Sequence, residues 1–106
     1  MNSHTIVIFV TAKDRKEALM IAKGLLEARL IACANMIKGV ESLFWWQGKI
    51  ETSKEVVLML KTKKTLFKKV SAKVKFLHSY QIPEIIALPM VDGSEDYLKW
   101  IASSVL

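Results

Sequence analysis

Two short segments of the chain are apolar without interruption, and they restrict the fold more than any other feature. Residues 5–11 (TIVIFVT) are β-branched or aromatic almost without a break, and residues 56–60 (VVLML) are five apolar residues in a row. A strand with one face in water would instead alternate between apolar and polar residues. We therefore predict two strands that protein covers on both faces.

Two amphipathic segments predict the main helices. Asp14 is followed three residues later by Glu17, which is the spacing of a capping box, and apolar residues then recur every three or four positions. A second helix is predicted to start at Thr65 as its capping residue. It should end near His78, because Pro83 and its neighbours disfavour a continued helix.

The remaining segments predict the other strands and a short final helix. Gly39 is expected to mark a kink or bulge in a long second strand, which forms a hairpin with the third strand. The complete order is the βαββαβ pattern of an antiparallel, ferredoxin-like α+β sandwich, and it fills a single domain, residues 1–106. The predicted strands are residues 32–47, 50–62 and 85–91, with a turn at 47–49 and a last helix from Ser94 to Ile101.

Large apolar side chains predict that the chain is oligomeric. Right-handed crossovers place both main helices on one face of the sheet, so the other face needs a cover. Trp45 and Trp46 are neighbours on a strand and point to opposite sides, so one indole lies away from the helices. An uncovered patch of this kind exceeds what soluble monomers usually expose. The alternative is that the short C-terminal helix covers this face alone.

Charge and composition limit the partners and the location. A formal charge of +6 raises nucleic acid or anionic ligands as partners, but the dense lysine run at 61–75 indicates a solvated helix face. No segment approaches the roughly 18 apolar residues of a membrane-spanning helix. The first residues lack a secretory pattern, and the lone Cys33 cannot form an intrachain disulfide. We therefore expect a cytoplasmic chain.

Cys33 and His78 are the candidate metal ligands. A thiolate and an imidazole together suit copper or zinc, whereas two ligands without a third make a weak site. We predict weak binding of Cu or another divalent cation. In the alternative interpretation, Cys33 is a small buried apolar residue and His78 is a cation at the end of a helix.

Six segments match those of a known family in the same order along the chain: VTA at 10–12, IACAN at 31–35, FWWQGKI at 44–50, LKT at 60–62, LHSYQIPEIIALP at 77–89 and YLKWI at 97–101. In these segments the chain resembles the CutA family of divalent-cation tolerance proteins. The resemblance implies a homotrimer of ferredoxin-like subunits, related in architecture to the PII signalling proteins. It also implies an association with tolerance to copper and other divalent cations, without a known catalysed reaction.

Two departures from the family pattern reduce the possible metal ligands. Many relatives have His-Pro-Tyr-Glu where this chain has HSYQ at 78–81, so this turn lacks a carboxylate. Some relatives have a cysteine at the position of Val10, so a site with two thiolates is not expected here.

Four residues within the matching segments predict a ligand cleft between subunits. Trp46, Lys61, Tyr80 and Glu84 combine an aromatic wall, a cation, a hydroxyl and a carboxylate. Apolar surface with a few polar groups is typical of sites for small ligands, here a small anion or a polar metabolite. Alternatively, Tyr80 and Glu84 only fix the loop before the last strand, and Lys61 pairs with a surface acid.

An enzyme and an RNA-binding module are the two alternatives to a binding scaffold. The chain has no G-x-S-x-G, P-loop, H-E-x-x-H or C-x-x-C motif, and an acylphosphatase-type activity would rest on fold analogy alone. An RNA-binding ferredoxin-like module would need the RNP1 pattern, which is absent. We therefore expect a non-catalytic trimeric scaffold that binds a metal ion or small ligand.

Overall fold

A computed structural model describes residues 4–106 and contains a four-stranded antiparallel sheet in the order β2-β3-β1-β4. This order, with two helices packed on one face, confirms the predicted ferredoxin-like α+β sandwich. The elements are β1 (Thr5–Ala12), α1 (Arg15–Glu27), β2 (Cys33–Trp46), β3 (Lys49–Lys63), α2 (Phe67–Leu77), β4 (Ile85–Pro89) and α3 (Glu95–Ser104), with a 3-10 turn at Lys64–Leu66 before α2.

The core lies between the sheet and helices α1 and α2. Alternate residues of the two central strands point into it, because side chains along a strand alternate between the two faces. From α1 and α2 the core receives Ile21, Leu25, Val70 and Val74, all fully buried. The inward residues of β1 and β3 are Ile6, Ile8, Val10, Ala12, Val56, Leu58 and Leu60.

The opposite side of the sheet, which we call the open face, is also apolar. Val7 of β1 lies opposite Leu88 of β4, and Phe9 lies opposite Ile86. Leu88 and Ile86 are 52% and 51% exposed, and Ile37 on β2 is exposed as well. The two central strands are therefore apolar on both faces, as predicted, but protein covers only one face fully.

Helix α3 shields one end of the open face. Cys33 lies opposite Lys61, and Lys61 lies opposite Val7, so all three share this face. The hydroxyl of Tyr97 on α3 lies 3.5 Å from the Cys33 sulfur, which places α3 over this end. Ile101 of α3 is fully buried. Because the open face stays exposed elsewhere, α3 covers only a part of it.

The helix starts differ in how well the sequence predicted them. Asp14 caps α1 as predicted, since its carboxylate accepts a hydrogen bond from the Glu17 N–H at 2.8 Å. The prediction of Thr65 as a capping residue is wrong. Thr65 lies inside the 3-10 turn, and Leu66 precedes α2 without a side-chain cap. Leu66 is buried in the core, and this burial sets the path of the chain into α2.

Gly39 occupies the predicted bulge of β2. The register of β2 against β3 shifts between Ile37 and Val40, and Gly39 has a φ of +72°. Such a left-handed backbone favours glycine. Within residues 4–106, no helix combines the length and the apolar character that crossing a membrane requires.

Candidate functional site

A groove lies between the outer part of the β2–β3 hairpin and the loop that joins α2 to β4. It encloses about 1060 Å³, and we call it the hairpin groove. A space of this size accepts a small molecule or several hydrated ions. Its lining residues are Thr11, Glu55 and those at 42–46, 51–53 and 79–84.

The hairpin groove exists because the hairpin is longer than the rest of the sheet. β1 ends at Ala12, opposite Val56, so residues 49–55 of β3 pair with β2 alone. Gln47 and Gly48 join the two strands, with φ of 50° and 78°. Two left-handed residues make the tight turn whose twist matches that of the flanking strands. The outer hairpin therefore projects past the core and forms one wall of the groove.

Tyr80 and Glu55 form the floor of the groove. The Tyr80 hydroxyl donates a hydrogen bond to Glu55 Oε2 at 2.8 Å. Burial, followed by the hydrogen bond to Glu55 and its negative charge, raises the pKa of Tyr80 well above its usual value. The phenol therefore stays protonated, and Glu55, which is itself buried, has a fixed partner.

His78 fixes the position of Tyr80 through contacts of both its ring nitrogens. Its Nε2 donates to the Thr11 carbonyl oxygen at 2.6 Å, because a carbonyl can only accept. Its Nδ1 accepts from the Tyr80 N–H at 3.1 Å. The two rings are also in contact, with centroids 4.7 Å apart and planes tilted by 44°. Since both ring nitrogens are occupied, His78 would have to give up a hydrogen bond before it could bind a metal.

Glu17 ties the beginning of this loop to the beginning of α1. Its Oε2 accepts from the Ser79 N–H at 2.9 Å, and its Oε1 accepts from the Lys13 N–H at 3.1 Å. Burial by itself would raise the pKa of Glu17, but the hydrogen bonds from Ser79 and Lys13 outweigh it and lower the pKa. The sequence suggested Glu17 only as a helix cap, and its partner Ser79 lies 62 positions away.

Three of the four residues predicted for the ligand cleft lie together. Trp46, Tyr80 and Glu84 all line the hairpin groove, whereas Lys61 does not. Lys61 is six positions from Glu55 on β3, which corresponds to roughly 20 Å along an extended strand. There its ammonium group donates to the side-chain oxygen of Asn35.

The structure does not bring Cys33 and His78 together. Cys33 pairs with Lys61 of β3, and Lys61 pairs with Val7 of β1, so Cys33 lies at the level of Val7 in the sheet. His78, in contrast, contacts Thr11. Thr11 is four positions farther along β1, or roughly 13 Å. The residues at 4–106 include no group of three or more His, Cys, Asp or Glu side chains that could hold a metal ion.

Cys33 instead contacts helix α3. The hydrogen bond between its thiol and the Tyr97 hydroxyl, together with burial, raises the pKa of Tyr97. This pair lies at the shielded end of the open face, on the same strand face as Lys61. Cys33 is half-buried and free of any disulfide.

The charge of the hairpin groove is opposite in sign to that of the chain. Glu51, Glu55 and Glu84 line the groove, and its lining residues include no Lys, Arg or His. The whole chain, in contrast, has a formal charge of +6. Such a groove attracts cations, whereas the predicted cleft with Lys61 would have attracted an anion. Glu51 and Glu55 were not predicted, although their alternate positions on β3 place them on one face.

Comparisons with known proteins agree on one family. Residues 6–104 match the family model described as CutA1 divalent ion tolerance protein. The chain is 41% identical to the divalent-cation tolerance protein CutA of Thermus thermophilus, over 90% of this chain and 92% of that protein. The solved structure of the Thermus protein has a TM-score of 0.94 at 38% identity, covering 96% of this chain and 99% of that one.

A plant relative is considerably longer. The chain is 37% identical to Protein CutA 1, chloroplastic, of Oryza sativa over 94% of its own length, but it spans only 56% of that protein. This chain therefore spans only about half the length of the rice protein.

The expectation of a cytoplasmic location is wrong. The rice relative is described as chloroplastic, and a structure from Archaeoglobus fulgidus, 41% identical with a TM-score of 0.94, is described as a periplasmic divalent cation tolerance protein. The physical reason is that the lone thiol of Cys33 is compatible with a reducing or an oxidising compartment, because the fold uses no disulfide. Cysteine usage therefore does not determine the location.

Proposed function

The chain belongs to the CutA1 divalent ion tolerance protein family, and from this premise we propose that it is a non-catalytic, oligomeric protein that binds divalent cations weakly. The observation that carries the proposal is the sign of the charge in the hairpin groove. Three carboxylates line it without a basic residue, in a chain of net charge +6. Residues 1–106 act as a single domain in this proposal.

The arrangement of the carboxylates explains why the binding is weak. Glu55 already accepts from Tyr80 through Oε2, which leaves Oε1 for a cation, and Glu51 and Glu84 are exposed on separate elements. A cation would have to draw these side chains together and order them, at a cost in side-chain entropy. Oxygen ligands of this kind suit hard divalent ions such as Mn²⁺ or Ca²⁺.

Copper or zinc would require softer ligands than the groove provides. Cys33 is the single thiol of the chain, and His78 supplies an imidazole only if it releases Thr11 or Tyr80. We propose that copper binds these two residues separately and more weakly than it would bind a shared site. A small anion would be held by Lys61, outside the groove.

The open face supports the proposal of a homotrimer whose subunits join through their sheets, with an architecture related to the PII signalling proteins. Apolar side chains remain exposed on this face at Ile37, Ile86 and Leu88, and on the outer hairpin Trp45 is 71% exposed. Soluble monomers rarely expose a contiguous patch of this kind. If a neighbouring subunit packs on the hairpin, the hairpin groove lies at the subunit boundary.

Calorimetric titration with Mn²⁺ and Cu²⁺ tests the cation site. We expect the double variant Glu51→Gln, Glu84→Gln to weaken Mn²⁺ binding by about tenfold or more, since each lost carboxylate removes a charged ligand. Glu27→Gln, Glu41→Gln is the matched control, because both residues are exposed, neither lines the groove, and the net charge changes equally. Mn²⁺ affinity that is undiminished in the double variant would overturn the groove as the cation site.

The copper ligands and the oligomer need separate measurements. Cys33→Ala, His78→Ala should reduce Cu²⁺ affinity and leave Mn²⁺ affinity unchanged, and undiminished Cu²⁺ binding would remove both residues as ligands. Light scattering should give three times the subunit mass of 12.0 kDa, with or without Cu²⁺. A mass of one subunit would contradict the proposal that the open face is an interface.

A further inference from the structure

The outer surface of helices α1 and α2 is strongly basic. Helix α2 contains four lysines and no acidic residue. Lys68 and Lys69 of α2 are exposed, and so are Lys16 and Lys23 of α1. Within residues 4–106, the lysine that forms a salt bridge is Lys99, with Glu95 on α3, so these four lysines are not paired with an acid. One exposed acid, Glu27, lies four positions after Lys23 on α1. We call this surface the basic helix layer.

The two helices lie close enough to form one continuous surface. A Cβ atom added to Gly24 of α1 would lie 3.0 Å from Leu77 Cδ1 and 3.9 Å from Lys73 Cε, both on α2. The stem of Lys73 therefore lies beside Gly24 of α1, on the helix that carries Lys16 and Lys23. The lysines of both helices consequently belong to one surface.

Two large apolar side chains project from this basic surface. Phe76 is 82% exposed, and it follows Lys73 by three positions and Lys69 by seven, which places them on one side of α2. Met20 is 47% exposed and lies between Lys16 and Lys23 at spacings of four and three. Exposed apolar tips next to several lysines suit a partner that has both anionic and apolar parts.

We propose that the basic helix layer is a docking surface for anionic phospholipid membranes. Phosphate and carboxylate headgroups neutralise the lysines, while the tips of Phe76 and Met20 enter the boundary between headgroups and acyl chains. Lysine stems can follow apolar tips into that boundary and keep their ammonium groups at the headgroups.

The observations favour a membrane over a nucleic acid. The surface is formed by the outer sides of two adjacent helices, so it offers a broad layer rather than the groove that tracks a nucleic-acid strand. Helix α2 contains no arginine and α1 contains one, Arg15, whereas arginine is the residue best suited to paired contacts with phosphates and bases. Of the two apolar side chains that project from the layer, Phe76 alone offers an aromatic plane, whereas single-stranded nucleic acid stacks successive bases on several such rings.

The docking surface is independent of the cation site and of the proposed trimer. It lies on the side of the sheet opposite the open face, so assembly through the open face leaves it accessible. The hairpin groove shares none of its residues. Membrane binding can therefore be tested in the presence of EDTA, where no divalent cation bridges the protein to the lipid.

Vesicle flotation at low ionic strength in EDTA tests the docking surface. We expect the protein to bind vesicles that contain phosphatidylcholine and phosphatidylserine, and not vesicles of phosphatidylcholine alone. Binding should be lost in high salt, which screens the charges. The variant Lys68→Glu, Lys69→Glu should lower the partition coefficient by about tenfold or more, since each lysine near an anionic surface contributes roughly a factor of five.

Two further variants separate charge from apolar insertion. Phe76→Ser keeps the charge of the layer, and we expect it to reduce binding to anionic vesicles severalfold. Lys38→Glu, Lys54→Glu is the matched control, because both lysines are exposed on β2 and β3, away from the helices, and the net charge changes equally. This control should bind nearly as well as the unaltered protein.

Several outcomes would overturn the proposal. They are the absence of binding to anionic vesicles, equal binding to neutral vesicles, and an equal loss in the control variant on the hairpin. Retention on RNA without binding to vesicles would assign the basic helix layer to nucleic acid instead. Circular dichroism of each variant establishes that a loss of binding is not a loss of the fold.

Discussion

The hydroxyl of Tyr80 donates a 2.8 Å hydrogen bond to the carboxylate of Glu55, at the point where β3 leaves the sheet to form the outer hairpin. The bond joins two segments that are 25 positions apart in the sequence. It fixes both the floor of the hairpin groove and the orientation of one of its three carboxylates. The protonation of Tyr80 therefore reports on the integrity of the groove.

We expect Tyr80 to ionise only well above pH 10.0, the ordinary pKa of tyrosine, because burial and Glu55 favour the neutral phenol. A raised pKa means that this contribution to stability is present below pH 10.0 and is lost as the pH rises towards the folded-state value. Tyrosinate absorbance in Tyr97→Phe isolates the signal, since the chain has two tyrosines. Adding Glu55→Gln should lower the pKa of Tyr80; an unchanged titration would contradict this role of Glu55.

Glu17 should make the protein sensitive to acid. Its pKa is lowered below the ordinary value of 4.5, so its stabilising effect is complete above that pH and is lost as the pH falls through the lower, folded-state value. Glu17→Gln should cost about 1–3 kcal/mol of the free energy of unfolding at neutral pH, because the N–H groups of Lys13 and Ser79 lose a charged acceptor. Urea unfolding at several pH values measures this effect.

The control for this measurement is Glu27→Gln, an exposed residue on the same helix. It should retain the dependence of stability on pH that Glu17→Gln weakens. An identical loss of stability in acid for the unaltered protein and for Glu17→Gln would show that other groups cause it.

Thr62→Val should destabilise the protein although the two side chains have similar shapes. Thr62 is fully buried, and its hydroxyl donates to the Leu30 carbonyl oxygen at 2.6 Å. Valine leaves that carbonyl oxygen without this donor, at a cost of about 1–3 kcal/mol in the free energy of unfolding. Thr52→Val, exposed on the same strand, serves as the comparison in urea unfolding. Equal stability of the two variants would mean that the Thr62 hydroxyl contributes nothing.

Gly39→Ala should cost about 1 kcal/mol of stability, and Gly39→Asn clearly less. The φ of Gly39 is +72°, and a new Cβ would meet nothing within 4 Å, so the cost comes from the backbone and not from a collision. Asparagine adopts this left-handed conformation more readily than alanine does. Thermal unfolding of the two variants compares them, and a greater loss for asparagine would point to a contact at this site.

Much of the fold was predictable because local patterns and global packing agree. Continuous apolar runs predicted the two central strands, and Asp14 and Ser94 both cap helices as their spacing suggested, with Ser94 accepting from the Tyr97 N–H. Thr65 misled the prediction because burial of the neighbouring Leu66 decides how the chain enters α2. A capping residue has no effect when the chain reaches the helix through a different turn.

The site was predictable only in part, because its geometry depends on register. Trp46, Tyr80 and Glu84 were expected together, and they do line one groove. The prediction placed Lys61 with them, but Lys61 lies near the end of β3 that is far from the groove. The contribution of Glu55 depends on how the outer hairpin stands relative to the loop that holds Tyr80. No pattern of neighbouring residues contains that information.

The outer hairpin has a consequence for how the protein becomes ordered. Residues 49–55 pair with β2 alone, and an isolated two-stranded ribbon is only marginally stable in water. Its amide protons should exchange with deuterium much sooner than those of β1, since opening the ribbon disturbs no core residue. If neighbouring subunits clamp the ribbon, its protection will rise with protein concentration while that of β1 stays constant. Folding of the core and ordering of the hairpin are then successive events, and the second depends on a bimolecular encounter.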